Sequence, residues 1–267
     1  MSNNPYMTRE GGATVTIFVP YDCQNNCPFC INKEEYSDMT GFSLENIIES
    51  IKTMDEITPY CDFVFTGGEP FSNLESLQKM IDQIPATHKI FINTTFPVFA
   101  DRTEQDMLDF CAKNSDKITC INISRHLVKY VEESSDELLG KIPVNTRVNC
   151  VLYKDYPTDR LQDYVNRFKK YGIPIQFRFD YTDTTPENLY KEDDDKILHD
   201  LKNLFKYTGL DGCRMRCGYH FEQDGLEMTY HKTLPYSTIV EEVDGVTYDI
   251  LYDILIKQTG IIHGDWD

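Results

Sequence analysis

Positive charge is scarce in this chain: 26 Lys and Arg stand against 44 Asp and Glu, a formal net charge of −18 at pH 7. Broad electrostatic binding to nucleic acid needs a basic footprint, so that class is excluded, while a local basic pocket is not. Long apolar runs are missing as well. No stretch approaches the ~20 residues that span a bilayer, and the opening MSNNPYMTRE lacks the apolar core of a secretory signal. No repeat or low-complexity tract interrupts the chain. What remains is 267 residues, 40% of them hydrophobic, enough for one domain with a small appendage. Cysteine, by contrast, is present nine times. Without a signal segment, that number fits thiolate ligation in a reducing cytoplasm better than disulfides.

Three of the cysteines fall in Cys23–Cys30, CQNNCPFC, spaced C-x-x-x-C-x-x-C. Thiols this close can converge on one metal centre, yet closed zinc sites and electron-transfer clusters take four protein ligands. A three-cysteine iron–sulfur cube leaves one iron open to a small molecule. A zinc knuckle completed by a distant His, or buried structural thiols, are the plainer alternatives. Downstream, Phe65-Thr66-Gly67-Gly68-Glu69-Pro70 follows an apolar run. Adjacent glycines let backbone approach a ligand closely, and a carboxylate can accept from an ammonium.

With these two motifs the chain resembles the radical S-adenosylmethionine (radical SAM) superfamily, nearest in pattern to its molybdenum-cofactor cyclase and peptide-maturase branch. The resemblance implies a 4Fe-4S cluster on Cys23, Cys27 and Cys30, with SAM chelating the fourth iron through its amine and carboxylate. Phe29 matches the aromatic residue usual before the last cysteine, and Thr66, Gly67, Gly68 and Glu69 match the turn that holds the methionyl amine. It also implies a flavodoxin- or ferredoxin-type reductant.

Apolar runs alternate with helical patterns along most of the chain, the signature of β/α units. Strands are expected at Ala13–Pro20, Asp62–Thr66, Lys89–Thr94, Ile118–Ser124, Thr146–Leu152 and Ile175–Asp180. Helices are expected after Ser43, after a Ser72/Glu75 capping box, after Thr103, near Asp136–Gly140, over Leu161–Phe168, and over Ile197–Phe205 ending at Gly209. Asp193–Asp195 reads as a solvated helix start. The fold class is α/β: a partial (β/α)6 TIM-like barrel over residues 12–210, with a C-terminal hairpin-plus-helix extension over 211–267 that closes the barrel mouth. The hairpin rests on Gln223-Asp224-Gly225 and the helix on Thr247–Lys257. In such barrels the site gathers at strand C-termini, where both motifs fall.

Further site candidates come from the same rule. Asn93 ends the third strand, as ligand contact or turn cap. Ser124 and Arg125 end the fourth, for the ribose and carboxylate side of SAM, with His126 read as surface or structural. Asn149 in the fifth matches a SAM-contacting Asn of the family, and Arg147 shares its face. Gln176, Arg178 and Asp180 line one face of the sixth, for substrate or an internal ion pair. Cys213, Cys217 and His231, with His220, are weighed as a second metal site and set aside on ligand count. Cys61, Cys111, Cys120 and Cys150 are read as core thiols.

The chemistry that the resemblance implies is reductive cleavage of SAM to a 5′-deoxyadenosyl radical, which abstracts hydrogen from a substrate. A small, anionic metabolite or nucleotide is favoured over a macromolecule, because no leader-recognition module or complete second cluster site is evident. A peptide- or protein-modifying enzyme, including a glycyl-radical activase, is the alternative. From another class, a metal-binding or electron-transfer protein without SAM chemistry stays open.

Overall fold

The computed structural model describes residues 4–8, 12–30, 37–58, 60–130, 133–180, 195–211, 218–232, 238–251 and 253–264. In chain order these form β1 (Tyr6–Thr8), β2 (Ala13–Val19), α1 (Leu44–Ile57), β3 (Cys61–Gly67), α2 (Leu74–Ile81), β4 (Lys89–Thr94), α3 (Glu104–Lys113), β5 (Ile118–Ser124), α4 (Asp136–Leu139), β6 (Thr146–Leu152), α5 (Leu161–Lys169), β7 (Ile175–Phe179), α6 (Lys196–Leu204), β8 (Lys206–Leu210), β9 (Gly218–Gln223), β10 (Leu226–His231), β11 (Thr238–Val243), β12 (Val246–Leu251), β13 (Asp253–Ile256) and β14 (Ile262–His263).

The six expected strands are all present as β2 to β7, neighbours in sequence order and mutually parallel. Each presents two unlike faces. One carries residues such as Ile17, Phe65, Ile92, Ile123, Cys150 and Phe177, all fully buried in the core that the helices cover. Burying each large apolar chain of this kind contributes about 2 kcal/mol. The helices meet it with residues at helical spacing, Ile47, Ile51 and Met54 in α1 and Leu161, Tyr164, Val165 and Phe168 in α5. The other strand face carries polar side chains, among them Asn122, Asn149 and Gln176. The sheet stays open, with β14 at one edge and β8 at the other.

The C-terminal third departs from expectation. The hairpin forms as β9 and β10, with Asp224 and Gly225 at positive φ in the turn. Strand β10 then adds to the β7 edge in parallel, Met228 opposite Ile175. The helix expected over Thr247–Lys257 is absent. Those residues form β12, which pairs with β11 and β1 in a second, three-stranded sheet, and β13, which adds to β2 with Asp253 opposite Thr14. Two free strand edges and Ile- and Tyr-rich sequence outweigh a helical period that the same residues also fit. Residues 218–231 and 253–256 therefore extend both flanks of one sheet.

Smaller differences have local causes. The cap of α2 is Asn73, whose side chain accepts from the Ser76 amide, because Ser72 lies in a preceding 3-10 turn. The last helix stops at Leu204, and Gly209 sits in β8. Asp195 is buried: it caps α6 and pairs with Lys232 at 2.7 Å.

Candidate cofactor site

Strands β2 and β3 run in parallel register from Ala13 opposite Cys61 to Val19 opposite Gly67. The cysteine loop and the glycine turn therefore leave the sheet side by side. Three hydrogen bonds join them: the Gly68 amide donates to Val19 O (2.9 Å), the Glu69 amide to Tyr21 O (3.2 Å), and Ser72 Oγ to Asp22 O (2.9 Å). Glycine is required at position 67. Its φ is +109°, and a Cβ there would lie 2.6 Å from Val19 O.

Cys23, Cys27 and Cys30 are partly exposed in this loop, with a tight turn closed by the Cys30 amide on Cys27 O (3.2 Å). Burial pushes the Cys23 thiol up to about 11; the Asn25 amide opposes this, and the negative potential of Glu69, Cys30 and Asp22 adds to it. A thiol kept protonated in the bare protein, chiefly by burial, gives up its proton when a cation binds it, and two more thiols lie in the same loop.

Glu69 is 3% exposed and fully engaged. One oxygen accepts from Thr94 Oγ1 (2.5 Å) and the Phe71 amide (3.1 Å), the other from the Thr95 amide and Thr95 Oγ1, both at 2.9 Å. Burial raises its pKa above the ordinary range and these four donors hold it back. The side chain thus ties the glycine turn to the end of β4.

Phe29 is buried between three rings: His126 (4.8 Å between centroids), Tyr130 (5.6 Å) and Tyr153 (5.6 Å). A cavity of about 250 Å³ opens here, lined by His126, Tyr130, Val151, Tyr153 and Tyr156 among others. His126 Nδ1 accepts from the Val151 amide (3.2 Å). Burial, with the Arg125 charge adding, pushes its pKa down to about 4. The ring is therefore neutral and carries its proton on Nε2.

Residues 10–139 match the family described as a 4Fe-4S single cluster domain. That span contains the three cysteines and the Gly67–Glu69 turn. The fold is similar to that of Streptococcus suis SuiB bound to S-adenosylmethionine: TM-score 0.56 at 11% identity, over 95% of this chain and 58% of that one. SuiB bound to the precursor peptide SuiA gives 0.57 at 12%, over 94% and 58%. A chain of anSMEcpe with bound AdoMet and Cp18Cys peptide gives 0.48 at 17%, over 62% and 51%. The chain thus spans about half to three-fifths of the length of these solved chains. No curated protein matches it. The likeness to SuiB shows the fold.

The residues of this chain can be set against a 4Fe-4S cluster, the group named by the matched family, and against SAM beside it. The three thiols have the chemistry for a 4Fe-4S cluster with one open iron. For SAM, Asn149 is informative: it is buried, and its Oδ1 has no hydrogen-bond partner among the described residues. Ser124 is its register neighbour on β5. A buried amide oxygen left unpaired by protein is a place for a ligand donor. Thr66, the register partner of Phe18, is partly exposed one residue before the turn.

Three expectations change. Arg125 is fully buried, and its guanidinium donates to Thr95 O (2.5 Å), Ser124 O, Ser134 O and Ser134 Oγ, with Glu133 3.6 Å away. It stitches β4, β5 and the following loop together, and a SAM carboxylate would have to displace those partners. Asn93 Oδ1 accepts from Asn122 Nδ2 (2.9 Å), so it is one end of a side-chain chain and no turn cap. Cys120 shares the face of Asn122, its thiol 3.7 Å from Asn122 Oδ1, and is no core thiol. Cys213 and Cys217 lie outside the described residues. His220 pairs with Asp211 at 2.6 Å, and among the described residues no three potential ligands, the loop cysteines included, are drawn together as a metal site. Tyr130, Tyr153, Thr94 and Thr95 were not singled out from sequence; their position just past strand C-termini was the available signal.

Proposed function

We propose that this chain is an enzyme that cleaves SAM reductively and abstracts a hydrogen atom from a small anionic substrate. The carrying observation is the clamp between β2 and β3, which fixes the three-thiol loop against the Gly67–Glu69 turn. A bound cluster supplies one electron to the SAM sulfonium, whose carbon–sulfur bond breaks to give methionine and a 5′-deoxyadenosyl radical. The protein binds and orients. Cys23, Cys27 and Cys30 hold the cluster; Gly67, Gly68 and Glu69 receive the methionyl ammonium; Ser124 and Asn149 take the ribose and carboxylate side. His126, Tyr130 and Tyr153, which pack on Phe29, wall a cavity of the size and aromatic character that suits adenine. A flavodoxin- or ferredoxin-type protein reloads the electron.

The anionic substrate is supported by the arginines that share the polar strand face. A peptide substrate is the second reading, favoured by the fold shared with SuiB, which has been captured with a precursor peptide. The experiment offers the reconstituted enzyme two deuterated pools, carboxylate and phosphate metabolites in one and peptides in the other, and follows label into 5′-deoxyadenosine. Transfer from the metabolite pool is expected. Transfer from peptides alone overturns the small-molecule reading.

A further inference from the structure

The described arginines with fixed partners are mostly neutralised. Arg102 meets Asp101, Arg125 meets Glu133, and Arg167 forms a bidentate pair with Asp136 and reaches Glu133. Arg147 differs from these three. It lies on the polar face of β6, only partly exposed, and both of its hydrogen bonds go to a single neutral oxygen, Asn122 Oδ1, from Nε (3.1 Å) and Nη2 (2.9 Å). A guanidinium has five N–H donors, so most of this one is unused, and no carboxylate pairs with it among the described residues. In a chain with 44 acidic residues, an inward-facing arginine without one is a built feature. Desolvation without a counter-charge is costly, and a charge so held binds an incoming anion strongly.

The surroundings prepare it. Asn122 is buried and is itself held by Asn93 Oδ1, so the chain Asn93–Asn122–Arg147 crosses three adjacent strands at one register level, Asn93 opposite Asn122 and Asn122 opposite Arg147. That anchoring fixes the guanidinium plane before any ligand arrives. On the same sheet Arg178 stands opposite His231. Burial, with the charges of Arg178 and Arg147 contributing, pushes His231 down to about 4, and Asp211 opposes the shift. Both arginines therefore act on the same ring.

We propose that Arg147, oriented by Asn122, is an anion receptor on the inner sheet face that takes a carboxylate group. The inference rests on the reading of this face as the ligand-facing side of a SAM enzyme, and it names the group that the face selects. Two sources share the chemistry: the substrate, and the carboxylate of SAM itself.

Full-length protein, anaerobically reconstituted, is titrated with succinate as the probe anion and, separately, with SAM and decarboxylated SAM. Readouts are thermal midpoint and equilibrium binding, neither of which needs turnover. Two variants are compared, Arg147→Gln and Asn122→Asp; the second keeps the arginine and gives it an internal counter-ion, so it is expected to fold at least as stably. Succinate is expected to raise the wild-type midpoint, and both variants to weaken its binding tenfold or more. If the anion is the substrate's, SAM binds all three proteins equally and the succinate shift adds to that of SAM. If it is SAM's own, both variants weaken SAM tenfold or more while decarboxylated SAM binds alike throughout. Succinate and SAM affinities unchanged in a folded Asn122→Asp overturn the proposal. SAM cleavage by a wild type indifferent to anions would remove the receptor and leave the enzyme; anion binding without SAM cleavage would do the reverse.

Discussion

The amide of Glu69 donates to the carbonyl of Tyr21 at 3.2 Å, two residues before the first cysteine of the loop. Through this bond and its neighbour from Gly68 to Val19, the segment that would hold a cluster and the turn that would hold an amine become one rigid piece at the ends of β2 and β3. Geometry set by the backbone is the kind that a site needs when two cofactors must meet at a fixed distance.

Cys27→Ala is expected to leave the fold intact, since the residue lies partly exposed in a loop, while iron and sulfide incorporation falls to background. Iron content and visible absorbance after anaerobic reconstitution check it. A full cluster in the variant would remove Cys27 from the ligand set.

Glu69→Ala strands the Thr94 hydroxyl and the Phe71 and Thr95 amides without an acceptor. Leaving such buried donors unpaired costs about 3 kcal/mol or more in total. Urea unfolding reads that loss. Glu69→Gln keeps the shape and most of the acceptors, so its stability is expected to lie between the alanine variant and wild type, with SAM affinity reduced in both.

Arg125→Met is expected to act on stability first. It leaves Glu133 facing only Arg167 and frees four backbone or hydroxyl acceptors, a change of about 3–5 kcal/mol for a broken buried pair. Denaturant midpoints test this. A native midpoint with SAM binding lost would restore Arg125 to the cofactor.

Acid should destabilise the protein through two imidazoles. His126 and His231 have folded pKa values near 4, below the ~6.5 of an unfolded histidine. Above pH 6.5 both states are neutral and the contribution is complete. As pH falls from 6.5 toward 4 the unfolded chain takes up protons that the folded one refuses, so stability declines. The charges around them are Arg125 for His126, and Arg178, Asp211, Arg147 and His220 for His231. The urea midpoint is expected to drop between pH 7 and pH 5, and to drop less in His126→Gln. Equal slopes in the two proteins would discount the His126 contribution.

Thiol reactivity should divide the cysteines. Burial pushes Cys111 and Cys150 up to about 12, and both side chains are inaccessible. Iodoacetamide at pH 7.5 is expected to modify Cys27 and Cys30 in the metal-free protein, to spare Cys111 and Cys150, and to modify none of the loop cysteines after reconstitution. Peptide mapping by mass spectrometry gives the pattern.

Strands β2 to β7 were legible because each pairs an apolar core face with distinct helix signals on either side. The two motifs were legible because glycine pairs and closely spaced cysteines have few structural uses. The segment Val246–Ile256 was not, because VTYDILYDILI satisfies both a helical and an alternating period, and its partners on β1 and β2 lie some 240 residues away. Arg125 misled for the same reason: nothing local announces that Glu133 and Ser134 fold back over it. Arg147 was legible by its alternation onto the face of Asn149, and Cys120 was readable in principle by the same rule, since it alternates with core-facing residues onto the face of Asn122.

The most direct test of the enzyme reading is formation of 5′-deoxyadenosine. Reconstituted protein is incubated anaerobically with SAM and dithionite, and the product is quantified by mass spectrometry beside Cys27→Ala. Release of 5′-deoxyadenosine and methionine by the wild type alone is the predicted result. A fully loaded cluster that yields neither would contradict the account and return the chain to the class of metal-binding or electron-transfer proteins.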